Sequence, residues 1–404
     1  MALTLQRQRV RDDTTFNATD SLFHCSTGLR WYQQALSEPG RMFQIGPWQI
    51  AGRLVNFGFA ARLSPLALAI FAAALAPPAL AALIFAGQHA IFAIVGIGMY
   101  GVSITGPRMY VDSGGVVYCA NLRAGSGLEV RDNCRVEVQS GNLEVSGNSI
   151  INPTSGTNGT GILFDQSGSL NGSGRLSLNA NLSNYDTSYI QAGTATSSSA
   201  VVSIGPDLII GGAGKMQGRF TLAGTVRCDS SAGAGIELRD GVLSGTGSGH
   251  VECANGGLGL VRSTLDHVPV SGGYVSVYGG NSAIYNSMVN SYLDIAENNT
   301  AYVGNLGVSG YMRLRPGAGL RVQYGDLIGD GDWIINHNAG NSNTWIYFEQ
   351  AATIGGRGTV TLNSSRSFGD TAYIQNGSSG LITIGADRTI AGIGRMYGNF
   401  RLAG

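Results

Sequence analysis

The sequence predicts an all-β chain: a right-handed parallel β-helix (β-solenoid) preceded by an apolar helical membrane or signal segment. Three observations carry this. Residues 107–404 alternate apolar and polar side chains in runs of four to six, separated by Gly, Asn, Asp and Ser, which is the period-two signature of strands. The same stretch is duplicated internally. And between Arg62 and Arg108 the chain carries no Asp, Glu, Lys or Arg.

Residues 1–62, which include "RQRVRDD" near their start, carry no recognisable site and read as a leader or cytoplasmic region. Residues 63–106 follow, "LSPLALAIFAAALAPPALAALIFAGQHAIF" and onward, a run long enough for a membrane. As an export signal, Arg53 and Arg62 supply the positive flank, 63–76 the apolar stretch and "PPALA" (77–81) the small residues before cleavage. As a signal anchor, residues 65–86 span, and the arginines before Leu63 hold the N-terminus inside. A two-helix hairpin, 65–86 and 88–105, and a buried hairpin in a soluble domain are the remaining readings. Export or anchoring is the expectation.

The duplication sits beyond this segment. "IGPDLIIGGAGKMQGRFTLAG" (204–224) and "IGADRTIAGIGRMYGNFRLAG" (384–404) are identical at 12 of 21 positions. Upstream, "ILFDQ" (162–166) matches "IYFEQ" (346–350) and "DTSYIQ" (186–191) matches "DTAYIQ" (370–375), all at an offset of 184 residues. A four-residue shortening after Gln375 brings the closing phrases to an offset of 180. The units are 118–224 and 302–404; the first continues into "TVRCDSS", so truncation inside a longer array is expected. Within the units an apolar-x-Gly-x-Gly motif recurs, as in "LNGSG" (170–174), "IGGAG" (210–214), "LSGTG" (243–247), "IGGRG" (354–358) and "IAGIG" (390–394). Glycine pairs of this kind allow positive φ and tight bends between strands. A β-sandwich per copy is the alternative, and the finer glycine rhythm favours the solenoid.

The alternation points Phe220, Leu222, Phe400, Leu402, Leu176, Leu178, Val360, Leu362 and Ile334 inward, with Asn and Ser/Thr ladders tying neighbouring coils. The 62 glycines, 12% charged residues and zero formal net charge give none of the basic footprint of a nucleic-acid binder. The five cysteines lack CxxC or Cys/His metal spacing, so no metal and no cofactor is expected. A Cys119–Cys134 or Cys228–Cys253 disulfide is open to an exported chain; unpaired buried cysteine is the simpler expectation.

"SLNGSGRLSLN", "TIGGRGTVTLN", "SMVNSYLDIAENNTAYVGNLGVSGYMRL" and "LITIGADRTIAGIGRMYGNFRLAG" resemble the passenger β-helices of autotransporters and filamentous adhesins, over about residues 118–404. That resemblance implies a cell-surface or extracellular protein and assigns no active site.

Chemistry is sparse. In "YGDLIGDGDW" (324–333), Asp326, Asp330 and Asp332 form a candidate cluster for cation binding or polysaccharide cleavage. Copy one has Asn142, Ser146 and Asn148 there, so the charge is private to copy two. Arg321 is the basic residue that stacking would bring beside them. "IIGGAGKM" (209–216) lacks both the spacing and the Ser/Thr of a phosphate loop, and Lys215, Arg395 in copy two, reads as a solvated basic turn. Asp266 and His267 are sequence neighbours expected on opposite strand faces. Tyr274, Tyr278, Tyr285 and Tyr292 form a tyrosine-rich patch suited to carbohydrate stacking or protein contact. The expectation is a non-enzymatic adhesin-like or structural stalk whose partners are carbohydrate, a host or cell-surface protein, and the membrane through 63–106. The alternative is a β-helical polysaccharide lyase or hydrolase centred on the three aspartates.

Overall fold

The structure is a computed structural model that describes residues 91–92, 98–101, 103–104, 108–112, 114–181, 185–194, 199–230, 235–365, 367, 371–377 and 380–403. All belong to the second of two compact units, Ile84–Gly404. The expectations for residues 1–62, and for 63–90 of the apolar segment, lie outside the described residues. Among the described residues the protein is nearly all β, and the helical element is the short turn Tyr185–Thr187.

Part of the apolar segment departs from the expected helix. Ile91–Phe92, Gly98–Tyr100 and Ser103–Ile104 are strands, paired in parallel with strands some twenty residues on: Ile91↔Tyr110, Gly98↔Tyr118 and Ser103↔Arg123. A short uninterrupted apolar run has the same composition whether it is a buried parallel strand or a helix. Among the described residues no helix is long and apolar enough to cross a membrane.

The pairing is parallel, strand on strand, from one circuit of the chain to the next. Three columns of strands result. The first runs through residues 135–138, 161–164, 188–192, 215–217, 236–239, 258–261, 274–277, 292–295, 312–314 and 333–335. The second runs through 141–144, 168–171, 201–204, 219–222, 242–245, 264–266, 283–285, 301–304, 319–322 and 345–348. The third includes 150–151, 174–178, 208–212, 225–227, 250–252 and 270–271. Side chains alternate about each column, and the inward set makes one continuous apolar core from Met109 to Ile384.

Most strands among the described residues have six residues or fewer, and a minority are longer than the four to six expected. Arg135–Val145 and Leu208–Leu222 each run through a corner and ladder on more than one face. For that reason the pairing closes on itself: Arg135–Val145, Thr160–Phe164, Ser188–Ala192, Leu208–Leu222, Val201–Ile204 and Gly168–Asn171 form a ring. The corners are turned by positive-φ residues within the strand, such as Asn121 (φ 51°) and Gly218 (φ 98°), where the register shifts. "IGGAG" accordingly lies inside a strand and does not separate two. There its role is close approach, since a Cβ on Gly212 would stand 2.2 Å from the carbonyl oxygen of Leu178 on the preceding circuit. "LNGSG" and "IGGRG", by contrast, do fall between two strands and turn at positive φ, as expected.

The duplication is visible in the register. Arg135↔Gly161 and Gly319↔Trp345 are equivalent steps, whereas Gly168↔Val202 becomes Ala352↔Ile382, four residues shorter, at the shortening seen in the sequence. Yet the copies do not share a face. Residues 135–138 lie in the first column and their equivalents, 319–322, in the second. The unit therefore spans a whole number of circuits plus one column, and equivalent surfaces point along different faces.

Of the inward residues expected, Phe220, Leu222, Leu176, Leu178, Val360 and Leu362 are buried. Ile334 is not: Trp333 and Ile335 fill the core there, which puts Ile334 outward by alternation. Leu402 is 72% exposed and Phe400 half-buried; among the described residues Phe400–Leu402 ladders with Ile382–Ile384. Polar ladders do form, with Asn305 Nδ2 donating to Asn286 Oδ1 (3.0 Å), Asn286 Nδ2 to Asp266 Oδ1 (3.1 Å) and Ser169 Oγ to Asn142 Oδ1 (2.6 Å).

Candidate functional site

The four candidate tyrosines fall on two faces. Tyr274 and Tyr292 are register partners in the first column, and the Tyr292 ring lies 5.4 Å from that of Tyr311 on the next circuit. Tyr278 directly follows the strand that carries Tyr274, Val270–Val277. Tyr285 lies in the second column, stacked on Tyr324 (5.7 Å) with its hydroxyl on Gln323 Oε1 (2.5 Å). The expected single patch is thus two.

A glycine opposed by an aromatic ring explains the position of Tyr274 and recurs elsewhere along the stack. Gly161↔Tyr189, Gly257↔Tyr274, Gly304↔Tyr324 and Gly319↔Trp345 are in-register pairs. In each the ring of the later circuit lies over the glycine of the earlier one; a Cβ on Gly257 would meet the Tyr274 ring at 2.3 Å. The aromatic side chain shields backbone that the glycine leaves bare.

An open concavity among the described residues stands on this arrangement. A groove of about 340 Å³ is lined by Tyr185, Glu237, Gly257, Gly259, Tyr274, Tyr278 and Arg315, among others. Gly257 and Gly259 form its floor. The Tyr278 hydroxyl reaches across Gly259 to donate to Glu237 Oε2 (2.7 Å). Glu237, 3% exposed, makes an ion pair with Arg239 Nε (2.6 Å). Tyr274 leaves 40% of its surface in solvent. At one rim Asp294, nearly buried, is gripped by Arg313 (Nε 2.9 Å, Nη2 2.9 Å) and Arg315 (Nε 3.1 Å, Nη2 2.5 Å). Arg313 also lies over the Tyr292 ring at 5.1 Å.

Electrostatics make these groups fixed partners. Burial, then the hydrogen bond to Glu237, pushes the Tyr278 hydroxyl far up, and burial pushes Tyr274 up and Tyr292 up to about 12. Burial pushes the Asp294 carboxyl up, but its two guanidinium partners outweigh that and hold it below its ordinary value. Near neutral pH the groove therefore offers neutral phenols, an occupied carboxylate and guanidinium groups. That set stacks on rings and exchanges hydrogen bonds.

The three aspartates have other work. Asp326 Oδ1 accepts from the Thr353 N–H (2.7 Å), Asp330 Oδ1 from Arg357 N–H (2.9 Å) and Asp332 Oδ1 from Thr359 N–H (2.9 Å). Each satisfies a backbone donor on the following circuit. Arg321 pairs with Glu349 and lies in the second column, away from Asp332 beside the first. Among the described residues, no group of three or more His, Cys, Asp or Glu is placed to hold a metal.

Two local expectations are corrected. Lys215 is in a strand, ion-paired to Asp186 (2.7 Å) and 5.6 Å from the Tyr189 ring centroid, with its side chain largely buried; it is no solvated turn. His267 Nδ1 lies 2.8 Å from Asp266 Oδ1. Alternation fails there because His267 has φ 54°, which swings its side chain round beside its neighbour.

Tyr185, Glu237, Tyr311 and Arg315 escaped the sequence reading. The available signal was "GGLG" (256–259) standing one circuit before "YVSVY" (274–278), and it becomes legible only once circuit length is known. No known protein family, curated protein or solved structure matches the chain.

Proposed function

We propose that the chain is a right-handed parallel β-helix, exported or held at a cell surface, serving as an adhesin-like or stalk module that binds carbohydrate through the tyrosine groove. The handedness follows from the strong preference of connections between parallel strands for right-handed crossover. Export rests on the uncharged stretch 63–90 behind its arginines, since the described part of 91–104 is laddered into the β fold. The cell-surface setting rests on the likeness of residues 118–404 to autotransporter and filamentous-adhesin passengers.

The observation that carries the binding reading is the groove itself. An accessible tyrosine lies over a glycine floor on laddered strands, with Glu237, Tyr278 and Arg315 beside it. Aromatic faces over apolar ring surface, with polar groups at the edges, suit a sugar ring. The aspartates at 326, 330 and 332 each give one carboxylate oxygen to a backbone donor on the following circuit, a structural use that supports the binding reading over cleavage. Titration of the full chain against neutral and anionic polysaccharides tests this. We expect saturable binding without reducing-end release, weakened about tenfold in Tyr274→Ala. Equal binding by Tyr274→Ala overturns the groove, and release abolished by Asp330→Ala/Asp332→Ala overturns the binding module in favour of an enzyme.

A further inference from the structure

We infer that Cys228 and Cys253 are a dithiol placed to close into a disulfide between successive circuits. Thr225–Arg227 and His250–Glu252 pair in register, Arg227 against Glu252. The ladder continues one residue further: the Cys228 N–H donates to the Glu252 carbonyl (2.7 Å), and the Asn255 N–H donates to the Cys228 carbonyl (3.2 Å). Cys228 and Cys253 are therefore adjacent in the stack. Both point inward, 0% and 1% exposed, above the Val226–Val251 pair of the same strands. Parallel strands lie about 4.8 Å apart, inside the Cα separation of about 4.4–6.8 Å that a disulfide spans.

The other candidate pair is not placed this way. Cys119 is in register with Val138, and Cys134 precedes Arg135, the partner of Val116. All four are buried free thiols in the structure, and it is the register that keeps Cys119 and Cys134 from facing each other across the ladder.

The chemistry needs an oxidant of the disulfide class, either a small-molecule disulfide or the disulfide of a thiol oxidase. One cysteine loses its proton and its sulfur attacks the oxidant, expelling one thiolate. The second cysteine, also deprotonated, attacks the resulting mixed disulfide and expels the other. Two cysteine thiols become one S–S bond, and the oxidant leaves as two thiols. Its hydrogen bond with Cys253, then burial, pushes the Cys228 thiol well up, so the finished fold holds Cys228 protonated, with both thiols shielded from solvent. Closure therefore belongs to the moment when these circuits assemble, in an oxidising compartment.

The test refolds the full-length reduced chain from guanidinium with oxidised and reduced glutathione, alkylates the remaining thiols and maps the peptides. The expected product joins Cys228 to Cys253, with Cys119 and Cys134 alkylated. Recovery of a β spectrum with Cys228 and Cys253 both alkylated overturns the inference, as does linkage of either to another cysteine in equal yield. Protein that was never unfolded gives a second measurement. Held with oxidised glutathione without denaturant, it keeps the Cys228 and Cys253 thiols, whereas after oxidative refolding both are lost and Cys253→Ala forms no internal bridge. Rapid loss of both thiols from the never-unfolded protein overturns closure at assembly, and an internal bridge at Cys228 in refolded Cys253→Ala overturns the pairing.

Discussion

Asp294→Asn removes the negative charge from a carboxylate that receives four N–H donors from two arginines on the next circuit. The carboxylate is 5% exposed, Arg313 23% and Arg315 39%. Breaking a buried pair costs about 3–5 kcal/mol, but Arg315 is open enough that solvent screens its share. The Arg313 contact therefore dominates, and about 2–4 kcal/mol is expected. Local stability is the right observable, because long arrays of repeats need not unfold as one. Hydrogen exchange at the Leu293 amide, which donates to the Tyr311 carbonyl, should accelerate roughly 30- to 1,000-fold at neutral pH. The Asp294 pKa is depressed by its guanidinium partners. Its stabilisation is thus fully present above the ordinary carboxylate value of about 3.9 and is lost as pH falls through the lower folded value. The difference between the two proteins should hold from about pH 5 to 8 and fade in acid. An acceleration under about threefold at pH 7 would refute the claim that this carboxylate ties two circuits together.

Other outcomes follow from the same packing. Phe164→Ala and Phe348→Ala, equivalent in the two copies and both fully buried, should each cost about 3–5 kcal/mol in urea unfolding; a cost near zero for either denies that the copies share one core. Gly172→Ala forces a Cβ to within 1.7 Å of the Val145 carbonyl oxygen, and loss of protection at the neighbouring amides is the expected exchange signature. His250 contacts the Ser248 carbonyl (2.8 Å) and Glu252 (3.0 Å), first and second among the causes that raise its pKa. Its stabilisation is present below the ordinary value of about 6.5 and lost as pH rises through the raised folded value; an NMR titration of the ring placing its midpoint at or below about 6.5 contradicts this.

Alternation and duplication made the β class, the duplicated units and most of the core legible in the sequence. What escaped is non-local. Circuit length varies along the chain, so the partner of Gly257 is not readable until Tyr274 is known to stand one circuit on. The displacement of the copies by one column has the same origin, since a repeat in sequence need not be a whole number of circuits. Alternation itself broke where φ turns positive, as at His267, and it slipped by one at Ile334 because Trp333 occupies the core. The apolar strands at 91–104 carried no period to tell them from helix.

Parallel stacking in register is the central claim, and pairs of spin labels along one column test it most directly. Asn142, Ser169, Ser203, Thr221, Ser244, Asp266 and Tyr285 succeed one another by register. At about 4.8 Å per step, labels at Asn142 and Ser244 should lie roughly 19 Å apart and those at Asn142 and Tyr285 roughly 29 Å. Electron-spin distances that grow in this proportion support the stack. Distances that fail to grow from the first pair to the second contradict it.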